Sequence, residues 1–269
     1  MLHITLVGAG NMGFAMLRAW TKLEGYTYSV VEPNEALLQR AMALGAKALV
    51  EPTDGNAGVP IDVLVIAAKP QVVAEAMDRY APRLSEKGLV VSVAAGVRIE
   101  AMASRIDRPV AMIRAMPNTP ASIGEGMIVC YPNREAESES HRKIADQLLS
   151  ATGRVAFVED EALMDAVTAV SGSGPAYVFH FIEALQAAAM TVGLDHDLAL
   201  LLAKQTVFGA SKLAVESDQS PAQLREQVTS PNGTTAAALG VLMVQTGGLR
   251  NLMVEAVTAA KQRSVELGQ

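Results

Sequence analysis

Apolar runs and helix-like segments alternate from residue 1 to about residue 158 of the chain. The apolar runs are short and lie at 4–7, 28–31, 46–50, 62–67, 89–93 and 110–114. The helix-like segments lie at 14–23, 34–44, 71–84, 99–104 and 139–150. Strands that are apolar on both faces are typical of a parallel sheet covered by helices. The pattern therefore predicts an α/β domain over residues 1–158 with a doubly wound parallel sheet.

The strand pattern has stopped after Glu159-Asp160-Glu161, and only helix-like segments follow. They lie at 162–170, 176–192, 197–217, 221–228, 235–246 and 249–267. Some of these segments are apolar nearly all round, and such helices need more partners than one small domain supplies. We therefore expect an all-helical second domain over residues 159–269 that builds a homo-oligomer.

The first apolar run ends in a glycine fingerprint, Gly8-x-Gly10-x-x-Gly13, and a helix-like segment follows it. In this motif the glycines permit a tight turn, a close approach of backbone to a pyrophosphate, and close packing of helix on strand. Glu32 follows the second strand, where a carboxylate accepts a hydrogen bond from a ribose hydroxyl. This context predicts a Rossmann-type dinucleotide-binding domain rather than an ordinary glycine-rich turn.

Ligands of such a sheet bind beyond the carboxyl ends of its strands. The loops there, at 67–70, 94–96 and 115–120, combine small residues with Pro or Gly, which lets a flat ring approach the backbone. Lys69 has two interpretations, as a cation beside ribose or phosphate oxygens or as a solvated loop residue.

The amino-acid composition indicates which class of binding partner and which cellular compartment to expect. The formal net charge of −6 offers no basic surface for nucleic acid or for an anionic membrane, so we expect a small-molecule partner. The single cysteine, Cys130, lies in an apolar run and is expected to be buried and inert. The sequence shows no metal-ligand spacing, no signal-peptide pattern and no uninterrupted membrane span, and we expect a cytoplasmic protein.

Two segments of the helical half are rich in Ser, Thr and Gly, at 171–177 and 229–235, and each precedes a helix. Free backbone N–H groups there could bind a carboxylate, or the hydroxyls could simply cap the helices. The sequence indicates no catalytic triad or other acid–base arrangement. Hydride transfer to a protonated cyclic imine fits such a site, because the imine already carries its proton.

At these loops the chain resembles the pyrroline-5-carboxylate reductases. The matching motifs are VGAGNMG at 7–13, AAKP at 67–70, SVAAGV at 92–97, IRAMPNTPA at 113–121, AVSGSGPAYVF at 169–179 and LREQVTSPNGTTAAAL at 224–239. The resemblance implies an oxidoreductase that uses NAD(P)H to reduce 1-pyrroline-5-carboxylate to L-proline, the last step of proline biosynthesis. It also implies a homodimer, or an assembly of dimers, with interlocked helical domains.

The resemblance assigns site residues as well. The substrate carboxylate would meet the backbone around Ser230, Gly233 and Thr234, the catalytic candidate Thr235 would hydrogen-bond the ring nitrogen, and Glu161 would lie near the substrate entrance. The segments that match the family's cofactor-contacting positions are Val7, Gly8, Ala9, Gly10, Asn11, Met12, Ala67, Ala68, Lys69, Pro70, Ala94, Ala95 and Gly96. Glu32 and Asn34 join the predicted cofactor site because they follow the second strand.

Three positions depart from the family pattern. Asn232 stands where glycine is usual, and Asn still tolerates a positive φ, so the loop can keep its shape. Asp218 replaces a common glutamate. Glu32 would accept from a ribose hydroxyl and repel a 2′-phosphate, and no arginine follows it until Arg40. We therefore expect use of both cofactors with a preference for NADH.

Two alternatives remain open at this point. A related reductase of a six-membered cyclic imine differs by one methylene in the substrate, which a pocket discriminates by only about 1–3 kcal/mol. A non-catalytic dinucleotide sensor would keep the sheet and lose the substrate loop, whereas residues 230–235 retain it.

Overall fold

The protein is described here by a computed structural model that covers residues 1–48 and 60–268. Its strands are β1 (Leu2–Val7), β2 (Tyr26–Val31), β3 (Lys47–Ala48), β4 (Ile61–Ile66), β5 (Leu84–Ser92), β6 (Ala111–Met116), β7 (Gly126–Pro132) and β8 (Gly153–Phe157). Its α-helices are α1 (Asn11–Trp20), α2 (Glu35–Met42), α3 (Pro70–Tyr80), α4 (Ile99–Ala103), α5 (Glu139–Ser150), α6 (Met164–Val167), α7 (Gly174–Thr191), α8 (His196–Glu216), α9 (Pro221–Gln227), α10 (Thr234–Leu242) and α11 (Leu249–Leu267). The last residues of the strand predicted at 46–50 lie outside the described residues.

The strands form one eight-stranded sheet in the order β3-β2-β1-β4-β5-β6-β7-β8. The pairs from β3 to β6 are parallel, which confirms the predicted doubly wound sheet. The sheet continues beyond the predicted strands, because β7 pairs antiparallel with β6 and β8 pairs parallel with β7. The segment 117–125 between β6 and β7 is too short for the crossover that parallel neighbours require, so the chain reverses there.

Helices cover both faces of the sheet and close two apolar cores. On one face, Trp20 of α1 is fully buried with Leu148 of α5, and its Nε1 donates to the carbonyl of Leu148 at 2.7 Å. On the other face, Met77 and Tyr80 of α3 pack with Met102 of α4. The two-sided burial explains why the strands are apolar on both faces.

The chain divides into two compact units. Unit 1 holds the sheet and resumes at Ala260, and unit 2 spans Gly174–Ala259. The two parts of unit 1 that lie after residue 158 are joined to each other, since the hydroxyl of buried Ser264 donates to Oδ1 of buried Asp165 at 2.7 Å. Asn118 Nδ2 also donates to the Ser171 carbonyl at 3.1 Å. The boundary at 158/159 remains our prediction for the sequence domains.

The helix predicted at 162–170 is wrong in its detail. The segment forms a 3₁₀ turn at Glu161–Leu163, the short α6, and a π-helix at Thr168–Gly172. A π-turn accommodates an extra residue within a helix, and such turns frequently lie at functional sites. The helices of unit 2 occur close to their predicted positions, and α11 spans the predicted 249–267.

Unit 2 presents many large apolar side chains on its surface. Examples more than half exposed are Phe179, Leu201, Phe208, Val215, Val241 and Leu252. Within the described ranges, α8 is the one helix whose length and composition would suffice to cross a membrane, and it is only 11% buried. Exposed apolar surface on this scale marks an interaction surface.

Candidate active site

The glycine turn after β1 shows why each glycine is needed. Gly8 has φ +93°, and a Cβ added there would lie 2.6 Å from the carbonyl oxygen of Ala67. A Cβ on Gly13 would collide with the carbonyl oxygen of Gly8. A Cβ on Gly10 would meet no atom of the described residues within 4 Å. Gly8 and Gly13 therefore close the turn, and Gly10 borders open space where a phosphate can approach.

Glu32 at the end of β2 binds the glycine turn directly. Its Oε2 accepts from the Ala9 N–H at 2.7 Å, and its Oε1 accepts from the Asn34 N–H at 2.9 Å. The side chain of Asn34 accepts from the Leu37 N–H and caps α2. The carboxylate is thus held at the point where the adenosine ribose lies in this fold.

A cleft of about 740 Å³ opens beside the turn. Seven of the predicted cofactor residues line it: Val7, Gly8, Gly10, Glu32, Ala67, Ala68 and Lys69. Apolar residues that sequence reasoning did not assign also line it, among them Val30, Val31, Leu38, Val72, Ala76 and Tyr80. Most of these belong to buried strands or to the inner face of α3, so the sequence marked them only as core. Apolar walls with a polar edge suit a flat heterocycle joined to a sugar phosphate.

The remaining predicted cofactor residues do not line this cleft. Ala9, Asn11 and Met12 belong to the glycine turn and the start of α1. Pro70 and Gly96 line a second cleft of about 640 Å³, and Ala94 and Ala95 precede Gly96 in its loop. Gly96 has φ +77°, and an added Cβ would lie 3.3 Å from the carbonyl of Leu267. The cofactor roles of all these residues stay predictions.

The substrate loop of unit 2 ends at the N-terminus of α10. Asn232 has φ +61°, which confirms that asparagine sustains the positive φ of this loop. Gly233 is the N-cap of α10, its N–H donates to the Ser230 carbonyl at 3.1 Å, and no side chain of the described residues caps the helix. Thr234 and Thr235 open the helix. The first-turn N–H groups therefore remain available to an anion.

The segment 171–177 differs from its prediction as a loop before a helix. Ser171 and Gly172 belong to the π-helix, and α7 begins at Gly174. Ser171 accepts from Asn118 Nδ2, which holds this turn on the loop after β6. The segment is nearly continuous helix because α6, the π-turn and α7 follow one another, so it offers no free N-terminus.

Glu161 makes contacts that the sequence did not reveal. Its Oε1 accepts from Arg114 Nη1 at 3.3 Å and from the Ile99 N–H, the first of α4, at 2.9 Å. The Arg114 side chain is 4% exposed and that of Glu161 is 22% exposed. The position of Arg114 at a strand end was the available signal. Its partner lies 47 residues away along the chain and could not be inferred from spacing.

Arg40 is a second residue that sequence reasoning left without a role. It lies in the last turn of α2, and its Nη2 donates to the carbonyl of Ala9 at 3.1 Å. Its guanidinium carbon lies 3.9 Å from the centre of the Phe14 ring. The long side chain brings a cation back to the glycine turn.

Other chemistry-bearing groups of the described chain lie apart from the candidate site. Cys130 is fully buried as predicted, and burial raises the pKa of its thiol to about 12. Within the described ranges, no group of three or more His, Cys, Asp or Glu is placed to hold a metal ion.

Two family models match separate parts of the chain, and curated relatives match it over nearly its whole length. A model described as pyrroline-5-carboxylate reductase dimerisation matches residues 161–267, and one described as NADP oxidoreductase coenzyme F420-dependent matches residues 3–96. Pyrroline-5-carboxylate reductase of Pseudomonas aeruginosa is 39% identical over 269 residues, covering 99% of this chain and 97% of that protein. The enzyme of Synechocystis is also 39% identical, covering 100% and 99%.

Structural similarity extends over the same length. The structure of a pyrroline-5-carboxylate reductase from Coxiella burnetii matches with a TM-score of 0.89 at 36% identity, covering 99% of this chain and 98% of that one. A pyrroline carboxylate reductase of Plasmodium falciparum with NADP bound matches with a TM-score of 0.82 at 26% identity, covering 100% and 98%.

Proposed function

Since the chain belongs to the pyrroline-5-carboxylate reductase family, we propose that it reduces 1-pyrroline-5-carboxylate to L-proline, the last step of proline biosynthesis. The observation that carries this proposal is the substrate loop, which keeps the family motif and ends at an uncapped helix N-terminus. The loop is what a dinucleotide sensor would lack.

The nucleotide half supports a nicotinamide cofactor, in line with the family model over residues 3–96 and the NADP-bound relative. When bound, this cofactor supplies the hydride. Gly10 leaves room for its pyrophosphate, Glu32 holds a carboxylate for the ribose, and the cleft wall receives the adenine. We propose use of both NADPH and NADH with a preference for NADH, because the Glu32 carboxylate repels a 2′-phosphate.

The substrate loop binds the carboxylate of the imine without an arginine. The N–H groups of Thr234 and Thr235 point along the axis of α10 at its positive end, which favours an anion. Ser230 and Gly233 shape the turn beside them. The hydroxyl of Thr235 accepts from the protonated ring nitrogen and can donate to the amine that forms. Because the imine arrives protonated, the reaction needs no further acid.

Glu161 stays in the proposed site on the resemblance alone. Its Oε1 is already engaged by Arg114 and by the Ile99 N–H. A stability experiment described in the Discussion separates its structural role from a role toward the substrate.

A second copy of the chain is the proposed cover for unit 2. The family model over residues 161–267 is a dimerisation model, and the exposed apolar side chains of α7, α8 and α11 need such a cover. We propose a homodimer, or an assembly of dimers, in the cytoplasm. In this assembly α8 packs on protein rather than on lipid.

The test is oxidation of NADH and of NADPH by the purified protein, followed by nicotinamide absorbance. One series contains 1-pyrroline-5-carboxylate and a second contains the six-membered cyclic imine. We expect turnover with the five-membered ring, at a kcat/KM at least about tenfold above that with the six-membered ring, which is the lower end of the discrimination that one methylene gives. Saturable cofactor binding without turnover on either ring would overturn the function. A preference of about tenfold or more for NADPH would overturn the NADH preference alone.

A further inference from the structure

Ala9, in the middle of the glycine turn, is held at both ends by side chains of opposite charge. Its N–H donates to Glu32 Oε2 at 2.7 Å, and its carbonyl accepts from Arg40 Nη2 at 3.1 Å. Stacking over Phe14 fixes the guanidinium at 3.9 Å from the ring centre. A carboxylate and a guanidinium therefore lie on either side of one residue at the ribose end of the site.

The two charges favour different cofactors. NADPH differs from NADH only by a phosphate on the 2′-oxygen of the adenosine ribose. A carboxylate after β2 accepts from the 2′-hydroxyl of NADH, and an arginine nearby accommodates the 2′-phosphate of NADP. A guanidinium suits this task because its planar N–H groups bind phosphate oxygens in pairs.

The guanidinium of Arg40 has further N–H donors that can bind such a phosphate. It carries several N–H donors, and Nη2 is the one that binds Ala9. Within the described residues, its Nε is buried and meets no acceptor. A buried donor without an acceptor is unfavourable, so a small movement of the side chain toward an anion would gain free energy. Arg40 lies beside the glycine turn and does not itself line the cleft, whereas Lys69 and Arg79 do, so these two are the competing cations.

We propose that Arg40 determines cofactor specificity by binding the 2′-phosphate of NADPH, while Glu32 serves the 2′-hydroxyl of NADH. The opposed pair on Ala9 is then what lets one site accept both cofactors. This inference rests on the proposed use of a nicotinamide dinucleotide and not on the identity of the imine.

Calorimetric titration of the full-length protein with two nucleotides tests the inference. Adenosine 2′,5′-bisphosphate carries the 2′-phosphate, and 5′-AMP lacks it. We expect Arg40→Met to weaken binding of the bisphosphate by about tenfold or more, the loss typical of one charge-assisted hydrogen bond, and to change the Kd of 5′-AMP by less than about threefold. Arg40→Lys keeps the charge and should lose less. Glu32→Gln should strengthen binding of the bisphosphate.

The 5′-AMP titration is the control for folding, because Arg40→Met also removes the bond to Ala9. An equal loss of affinity for both nucleotides would show that Arg40 only holds the glycine turn in place through Ala9, and it would overturn the proposal. The proposal is also overturned if Lys69→Met or Arg79→Met, and not Arg40→Met, weakens binding of the bisphosphate without weakening binding of 5′-AMP. Since neither nucleotide requires the imine, failure of the reductase assay leaves this result unaffected, and failure here leaves the reductase assay standing.

Discussion

The Arg114–Glu161 pair allows a stability prediction that also defines the role of Glu161. Glu161→Ala removes the acceptor of both Arg114 and the first N–H of α4. The Arg114 side chain, only 4% exposed, would then keep its charge without a partner. The affected N–H belongs to Ile99, directly after the loop at 94–98 that holds predicted cofactor residues.

The size of the expected loss in stability follows from the burial of the Arg114 and Glu161 side chains. Breaking a buried ion pair by removing one partner costs about 3–5 kcal/mol. An unsatisfied backbone N–H adds about 1–3 kcal/mol. Water reaches Glu161, whose side chain is 22% exposed, so we take the low end of both ranges and expect Glu161→Ala to lower the free energy of unfolding by about 4 kcal/mol.

Urea unfolding at one fixed protomer concentration measures this loss, because oligomer stability depends on concentration. Glu161→Gln keeps an acceptor and should cost about 1 kcal/mol. The double variant Arg114→Met, Glu161→Leu removes both charges and should recover most of the loss. Exposed Glu159→Ala is the matched control and should cost less than about 0.5 kcal/mol.

A loss below about 1 kcal/mol in Glu161→Ala, equal to that of Glu159→Ala, would refute the reasoning. Kinetics of Glu161→Gln address the substrate. If Glu161 only positions α4 and its loop, the KM for the imine stays unchanged, whereas a direct substrate contact raises it.

Further predictions concern the two loops and the buried thiol. Thr235→Ala should lower kcat by about 10²-fold or more with cofactor Kd unchanged, whereas Thr235→Ser should retain most turnover; equal kinetics in both variants would contradict the assigned hydroxyl. Gly13→Ala should lower both the melting temperature and the cofactor affinity, because its Cβ collides with the Gly8 carbonyl. Gly10→Ala should lower the cofactor affinity alone, because its Cβ meets no atom of the described residues. Identical melting curves for the two variants would contradict this difference. The Cys130 thiol should resist a thiol reagent until the protein unfolds. Because burial raises its pKa from 9.0 to about 12, its contribution to stability is complete below pH 9.0 and is lost as the pH rises toward 12. A Cys130→Ala variant with an unchanged alkaline unfolding profile would contradict that contribution.

Much of the fold followed from periodicity. The run at 62–67 and the glycine turn predicted β4 and the start of α1, because burial on both faces leaves a clear apolar pattern. The pattern did not reveal β7 as an antiparallel strand, since an apolar run carries no direction. It also missed β8, whose five residues include the charged Arg154.

The candidate site was predictable where backbone forms it and not where long side chains do. Glycine spacing identified Gly8, Gly10 and Gly13, because an added Cβ would meet backbone at Gly8 and Gly13, and Gly10 borders the open space that the motif leaves for a phosphate. The roles of Arg40 and Arg114 depend on where a long side chain ends in three dimensions. Each reaches a partner that is remote in sequence, and no local rule encodes such a contact.

The return of the chain to unit 1 at Ala260 sets an order of events during synthesis. A ribosome makes the whole of unit 2 before it makes Ser264, the partner of Asp165. The nucleotide unit therefore emerges first but lacks one of its buried contacts until the helical unit has been produced. A nascent chain stalled before residue 260 would leave Asp165 Oδ1 without the Ser264 hydroxyl that donates to it. Completion of the nucleotide unit is consequently delayed until the helices that recruit a second subunit already exist.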